Sequence, residues 1–95
     1  MAEDRKKVMK YPVFIDEKGK EHPCIGFAVD YLRSGWEWFA FDNAGNGNYF
    51  GFVCGIENEF GYFSTKELAE NNINFTTDCA TLHEISPPFG WTKKD

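Results

Sequence analysis

Proline, methionine and histidine are scarce in this 95-residue chain, at four, two and two copies, and its three cysteines, Cys24, Cys54 and Cys79, lie far apart. None of them has the close Cys-x-x-Cys spacing of a structural zinc site, and an odd number rules out a fully paired disulfide framework. The N-terminal Met1-Ala2-Glu3-Asp4-Arg5-Lys6-Lys7 has no apolar segment behind its charges. Together these predict a reduced, cytoplasmic protein. No apolar run approaches the ~18–20 residues that cross a bilayer, so no membrane span is expected. Positive charge is missing where a nucleic acid would need it. Residues 30–63 carry Arg33 alone against Asp30, Glu37, Asp42, Glu57 and Glu59, although residues 1–10 carry +2 in a chain of net charge −5. Aromatic strands that stack bases also need a basic groove to follow the phosphates, so direct nucleic-acid binding is not expected. Catalytic triads and phosphate loops are absent too.

Aromatic residues are the resource that is present. Ten of the seventeen fall between Trp36 and Phe63, interleaved with glycines. A chain of this length with 42% apolar residues buries about two thirds of its unfolded surface and has nothing left for a second core. One domain over residues 1–95 follows, with residues 1–10 a flexible tail.

The apolar period is that of strands. Tyr11, Val13 and Ile15 alternate ahead of the charged turn Asp16-Glu17-Lys18-Gly19-Lys20, and Pro12, unable to donate to a ladder, places this strand at a sheet edge. Ile25, Phe27, Val29 and Tyr31 mark a second strand, preferred over a helix because of its glycine and β-branched content. In Trp36-Glu37-Trp38-Phe39-Ala40-Phe41-Asp42 both faces are apolar, with Trp36, Trp38 and Ala40 on one and Phe39 and Phe41 on the other, which predicts a central strand covered on each side. Asp42 to Asn48 is expected to be a seven-residue turn, and Tyr49–Gly55 its partner strand. Gly51, Gly55 and Gly61 sit where cross-strand rings can cover bare backbone. Phe60–Phe63 closes the meander.

Ser64-Thr65-Lys66-Glu67 is a capping box, with Phe63 and Leu68 spaced as a hydrophobic staple and Asn71-Asn72 suited to a left-handed end. A helix of about two turns is expected there. Ala80–Ile85 reads as a last strand, and residues 86–95 as an extended arm whose Phe89 and Trp91 pack back before a frayed end. The fold class is therefore α+β, an antiparallel, meander-like sheet of about five or six strands with one short helix on one face.

Trp36-x-Trp38-Phe39, Asp42, the run Phe50-Gly51-Phe52-Val53-Cys54-Gly55-Ile56-Glu57-Asn58-Glu59-Phe60-Gly61-Tyr62-Phe63-Ser64 and Glu67-Leu68 resemble a family of short bacterial, plasmid and phage proteins known as a domain of unknown function. The likeness spans roughly residues 27–70. Members usually carry Leu at the positions of Phe60 and Thr65 and continue into Ile-Glu-Arg-Asp, where this chain has Phe75-Thr76-Thr77-Asp78. The resemblance implies a compact α+β fold and a mobile-element setting, and supplies no activity.

Several residues could carry chemistry. His22, Cys24, Cys54, Cys79 and His83 contain metal-capable atoms and could be drawn as Cys–His nucleophile pairs, yet their spacing favours buried thiols and surface imidazoles, so no metal or cofactor is expected. Asp42–Asn48 superficially resembles a calcium loop but has Ala44 where oxygen is required. Glu57 and Glu59 could form an acid–base pair, with a solvated turn the simpler account. Trp36 and Trp38 are either core or anchors for a partner, since Trp and Tyr dominate interface hot spots. The expectation is a small non-enzymatic accessory protein that engages a partner protein through an acidic, aromatic surface of Trp36, Trp38, Asp42, Glu57, Glu59 and Tyr62. Two alternatives are a phage or plasmid inhibitor that blocks the nucleic-acid channel of a host defence nuclease of the CRISPR type, and a small enzyme or zinc domain.

Overall fold

The computed structural model describes residues 10–95, so the tail expected at residues 1–10 lies almost wholly outside the described residues. The elements run β1 (Val13–Ile15), β2 (Glu21–Pro23), β3 (Gly26–Val29), β4 (Glu37–Gly45), β5 (Asn48–Cys54), β6 (Asn58–Ser64), α1 (Thr65–Glu70), β7 (Phe75–Thr76), α2 (Cys79–Glu84) and β8 (Thr92–Lys93). The α+β class holds, but among the described residues the strands form two antiparallel sheets, β6-β5-β4-β3-β7 and β2-β1-β8, and there are two helices.

The five-stranded sheet is apolar on both faces, as the composition of β4 requires. On one face Phe27, Phe39, Phe41 and Phe52 join Phe14 from β1, Cys24 and Leu82 from α2, with Trp91 packed against them. On the other, Ala28 meets Leu68 of α1 and Ile73, flanked by Trp38, Phe63 and Phe75. The small sheet with α2 and the helix α1 thus cover opposite sides of one central layer.

The first hairpin forms where expected. Asp16 Oδ1 accepts from the amides of Lys18 and Lys20, both at 2.9 Å, and Gly19 takes a φ of +87°. The chain then returns at once as β2. Pro12 does not mark an edge: β1 pairs with β2 on one side and β8 on the other. Pro12 precedes the first paired residue, where its missing N–H is not needed, and its carbonyl accepts from Cys24 at 2.8 Å. The proline that does sit in an edge strand is Pro23 of β2.

β3 stops at Val29 rather than reaching Tyr31. Asp30 Oδ2 accepts from the Ser34 amide and hydroxyl and folds residues 31–34 into a turn that leaves Tyr31 in solvent. Between β4 and β5 the expected seven-residue turn contracts to Asn46-Gly47, with φ of +56° and +80°. Two positive φ values are what a two-residue type I′ hairpin requires and what Asn-Gly supplies. Residues 42–45 are absorbed into β4 through irregularities at Ala40/Asp42 and Asn43/Gly45.

α1 is capped as its sequence demands. Ser64 Oγ accepts from the Glu67 amide at 3.3 Å. At the other end Asn72 (φ +61°) donates to the Ala69 carbonyl and Ile73 to that of Leu68, the paired bonds of a Schellman end, and Ile73 packs with Leu68. The strand expected at Ala80–Ile85 is instead helix α2. Asp78 caps it, accepting from the Thr81 amide at 3.1 Å and the Thr81 hydroxyl at 2.6 Å, and this local bonding overrides the strand preference of Thr81 and Ile85. Leu82, fully buried, anchors the helix to the core. In the C-terminal arm Trp91 packs back but Phe89 is 96% exposed, and Thr92–Lys93 pair with β1 instead of fraying. Among the described residues no helix is long and apolar enough to cross a membrane.

Candidate functional site, an aromatic face at an open sheet edge

Register builds the site. Phe27, Phe39, Phe52 and Phe60 lie directly opposite one another across β3, β4, β5 and β6, and directly opposite residues in antiparallel strands share a face. The row begins in the core, where Phe39 is fully buried, and emerges at the sheet edge, where Phe60 is 44% exposed. A second row, Asp42, Phe50 and Tyr62, runs beside it, with Tyr62 73% exposed. Phe50 joins the rows, its ring centroid 5.1 Å from Tyr62 and 6.2 Å from Phe60. The three-residue strands of the small sheet cover the inner part of this face and leave its outer part open.

His22 and Trp91 form the boundary between covered and open parts. The imidazole stacks on Phe41 at 4.8 Å and on Trp91 at 5.1 Å, and tilts against Phe60 at 5.4 Å. Its Nε2 is held by Asp16 Oδ2 at 2.9 Å. A cleft of about 360 Å³ opens here, lined by Asp16, Lys20, His22, Pro23, Phe41, Phe50 and Phe60. The bond to His22, with the Lys20 and Lys18 amides, holds the Asp16 carboxyl below its usual value of 3.8. A depressed carboxyl stabilises the fold above that value and loses its contribution as pH falls through its own lower one. Acid titration of the wild type should therefore show stability falling below about pH 4, whereas Asp16→Asn should start less stable at neutral pH and show a shallower acid loss when followed by circular dichroism.

The six residues expected to form one surface are divided between two faces. Trp36 precedes β4 and lies on Gly55, where a Cβ would meet its ring at 2.7 Å; its centroid is 6.1 Å from that of half-buried Trp38. Trp38 packs on the α1 side, and Glu59, opposite Val53 and through it Trp38, belongs to that side as well. Asp42 and Tyr62 lie on the other face, and Glu57 sits exposed in the bend before β6. The structure joins Tyr62 through Phe50 and Phe60 to His22 and Trp91; of these four the sequence singled out only His22, as a metal-capable group, and Phe50, Phe60 and Trp91 were not among the site residues. Their signal was the two-residue alternation Phe50/Phe52 and Phe60/Tyr62, overshadowed by the tryptophan pair.

Other candidate groups are engaged in structural roles. Cys24 Sγ donates to the Gly26 carbonyl at 3.4 Å, and burial pushes its thiol up to about 12. Cys54, facing Glu37 across the ladder, is raised to about 11, mainly by burial. Cys79 Sγ and His83 Nε2 converge on the Lys10 carbonyl, at 3.3 and 2.6 Å. No cluster of three His, Cys, Asp or Glu side chains that could hold a metal occurs among the described residues. A larger cleft of about 550 Å³ lies between the β3–β4 turn and α2. Its charged groups are already engaged, Asp30 by Ser34 and Arg33 by the Asn71 carbonyl at 3.0 Å. The aromatic face can offer planar apolar contact flanked by Asp16, Lys20 and Asp42, an arrangement suited to recognition. Compared with family models, curated proteins and solved structures, the chain matches none.

Proposed function

We propose that this chain is a non-catalytic binding module whose partner is a protein docking on the open aromatic face, with Phe50, Phe60 and Tyr62 as anchors and Asp42 at the margin. One observation carries the reading: the phenylalanine row that forms the core continues without interruption to the solvent. A core-forming pattern has no structural reason to extend past its cover, and exposed contiguous aromatics mark interaction sites. Tyrosine and phenylalanine at such a centre give large contact area at low entropic cost, while the flanking charges set orientation and encounter rate. Unpaired Cys24, Cys54 and Cys79 fit a reducing compartment, and the acids beside the aromatic strands disfavour a nucleic-acid ligand. Asp42, Glu57 and Glu59 are dispersed over two faces and a bend, so the reading rests on the rings and not on a row of phosphate-like carboxylates.

The test is affinity capture from the native host. Tagged wild type should retain a discrete protein, Tyr62→Lys should lose it by about tenfold or more, as expected for an interface hot spot, and Tyr31→Lys, in the distant β3–β4 turn, should retain it. Undiminished capture by the Tyr62 variant would overturn the proposal.

A further inference from the structure

The outer edge of β6 is the longest free edge in the molecule: among the described residues no strand pairs with it, and the opposite end of the sheet is the two-residue β7. Free edges are normally protected by proline, lysine, a bulge or short length. The seven residues Asn58-Glu59-Phe60-Gly61-Tyr62-Phe63-Ser64 have none of these, Glu59 is their single charged side chain, and their register with β5 is unbroken from Cys54↔Asn58 to Asn48↔Ser64.

The sequence of this edge is complementary to itself. A two-fold axis normal to the sheet at Gly61 pairs the full length of β6 with β6 of a second chain, antiparallel. Residues whose numbers sum to 122 then lie opposite. Asn58 meets Ser64, Phe60 meets Tyr62, Glu59 meets Phe63, and the two Gly61 residues face each other. No like charges are opposed; Asn58 with Ser64 and Phe60 with Tyr62 pair like with like on one face, while Glu59 with Phe63 is the one mixed pair, on the other face. Beyond the strand ends the same register sets Glu57 against Thr65, beside Lys66 of the other chain. Shifting the axis by one residue in either direction sets Phe60 against Phe60 or Tyr62 against Tyr62, but leaves the second aromatic facing Asn58 or Ser64 and shortens the overlap.

We infer that the partner for this edge is a second copy of the same chain, joined through antiparallel β6–β6 pairing centred on Gly61 into one ten-stranded sheet. The aromatic rows then run through the axis, Phe27-Phe39-Phe52-Phe60 continuing into Tyr62 and Phe50 of the other copy. The proposed binding face becomes a single surface built by both chains. The inference extends the reading above by using the strand that bears Phe60 and Tyr62, while engaging its backbone edge and not its open face.

Gly61 supplies the test. Its φ is not in the left-handed region, and an added Cβ would meet nothing within 4 Å, so charged substitutions should leave the fold intact, which circular dichroism verifies. Opposite residues in an antiparallel pair bring their Cβ atoms to ~5 Å, where like charges repel and unlike charges attract. Sedimentation of wild type at high micromolar concentration should give a two-chain species. Gly61→Glu and Gly61→Lys alone should each weaken it severalfold, and an equal mixture of the two should restore it. A single-chain wild type, undiminished association of either variant, or a mixture that stays single would each overturn the pairing. A single chain that still captures a protein through Tyr62 would overturn the pairing while leaving the binding face in place.

Discussion

Gly51→Ala is expected to destabilise the protein by about 3 kcal/mol or more, whereas Gly61→Ala, its direct neighbour across β5 and β6, should change stability little. At Gly51 a Cβ would meet the Phe39 carbonyl oxygen and carbon, at 1.8 and 2.8 Å. Those are backbone atoms of β4, fixed by its pairing with β3 and β5, so relief requires the central strands to separate just before the irregularity at Ala40/Asp42. At Gly61 the same methyl enters open space. For a domain of this size, a loss of 3 kcal/mol lowers the melting temperature by roughly 12–24 °C. Thermal unfolding of the two alanine variants checks the contrast directly. Equal behaviour would mean that β4 and β5 are not packed as described.

Trp91→Ala should cost about 3 kcal/mol, at the low end for a large aromatic because Trp91 is only half-buried. Its ring lies 4.8 Å from Phe52, 5.1 Å from His22, 5.8 Å from Phe41 and 6.0 Å from Phe60. It thereby links the C-terminal arm, the small sheet and the outer end of the aromatic row. Its removal leaves His22 and Phe60 without one wall, so the variant should lose partner affinity in addition to stability. Chemical denaturation measures the first effect and capture at a temperature where the variant is fully folded measures the second. Loss of neither would mean that the arm is a loose tail.

The parts of this architecture legible in the sequence were those determined by short-range chemistry. Ser64 and Glu67 marked the start of α1, Asn72 its end, Asp16 and Gly19 the first turn, and the doubled apolar faces of residues 36–42 the central strand. What escaped depended on longer-range pairing or on a competing local bond. Residues 92–93 acquire strand geometry only because β1 is beside them. Asp78, two residues before the strand expected at Ala80–Ile85, turns Cys79–Glu84 helical through its bonds to Thr81. Asn46-Gly47 was itself a two-residue turn signal, hidden within a longer polar cluster. Asp42 parts from Trp36 and Trp38 because the β4–β5 register is irregular at Ala40/Asp42, which no local pattern reveals, whereas Glu59 and Tyr62, three residues apart in β6, are parted by strand alternation alone. Nor does a local pattern show that Phe50 and Phe60 reach solvent: the extent of their cover is set by the length of strands elsewhere in the chain.

The central claim is that recognition belongs to the face bearing Phe50, Phe60 and Tyr62, and not to the face bearing Trp36 and Trp38. Tyr62→Lys and Glu59→Lys place the same side chain on opposite faces of the same strand, both at exposed positions. Dissociation constants of the captured partner for these two variants test the claim most directly. The account predicts at least about tenfold weakening for Tyr62→Lys and near wild-type binding for Glu59→Lys; the reverse order would contradict it.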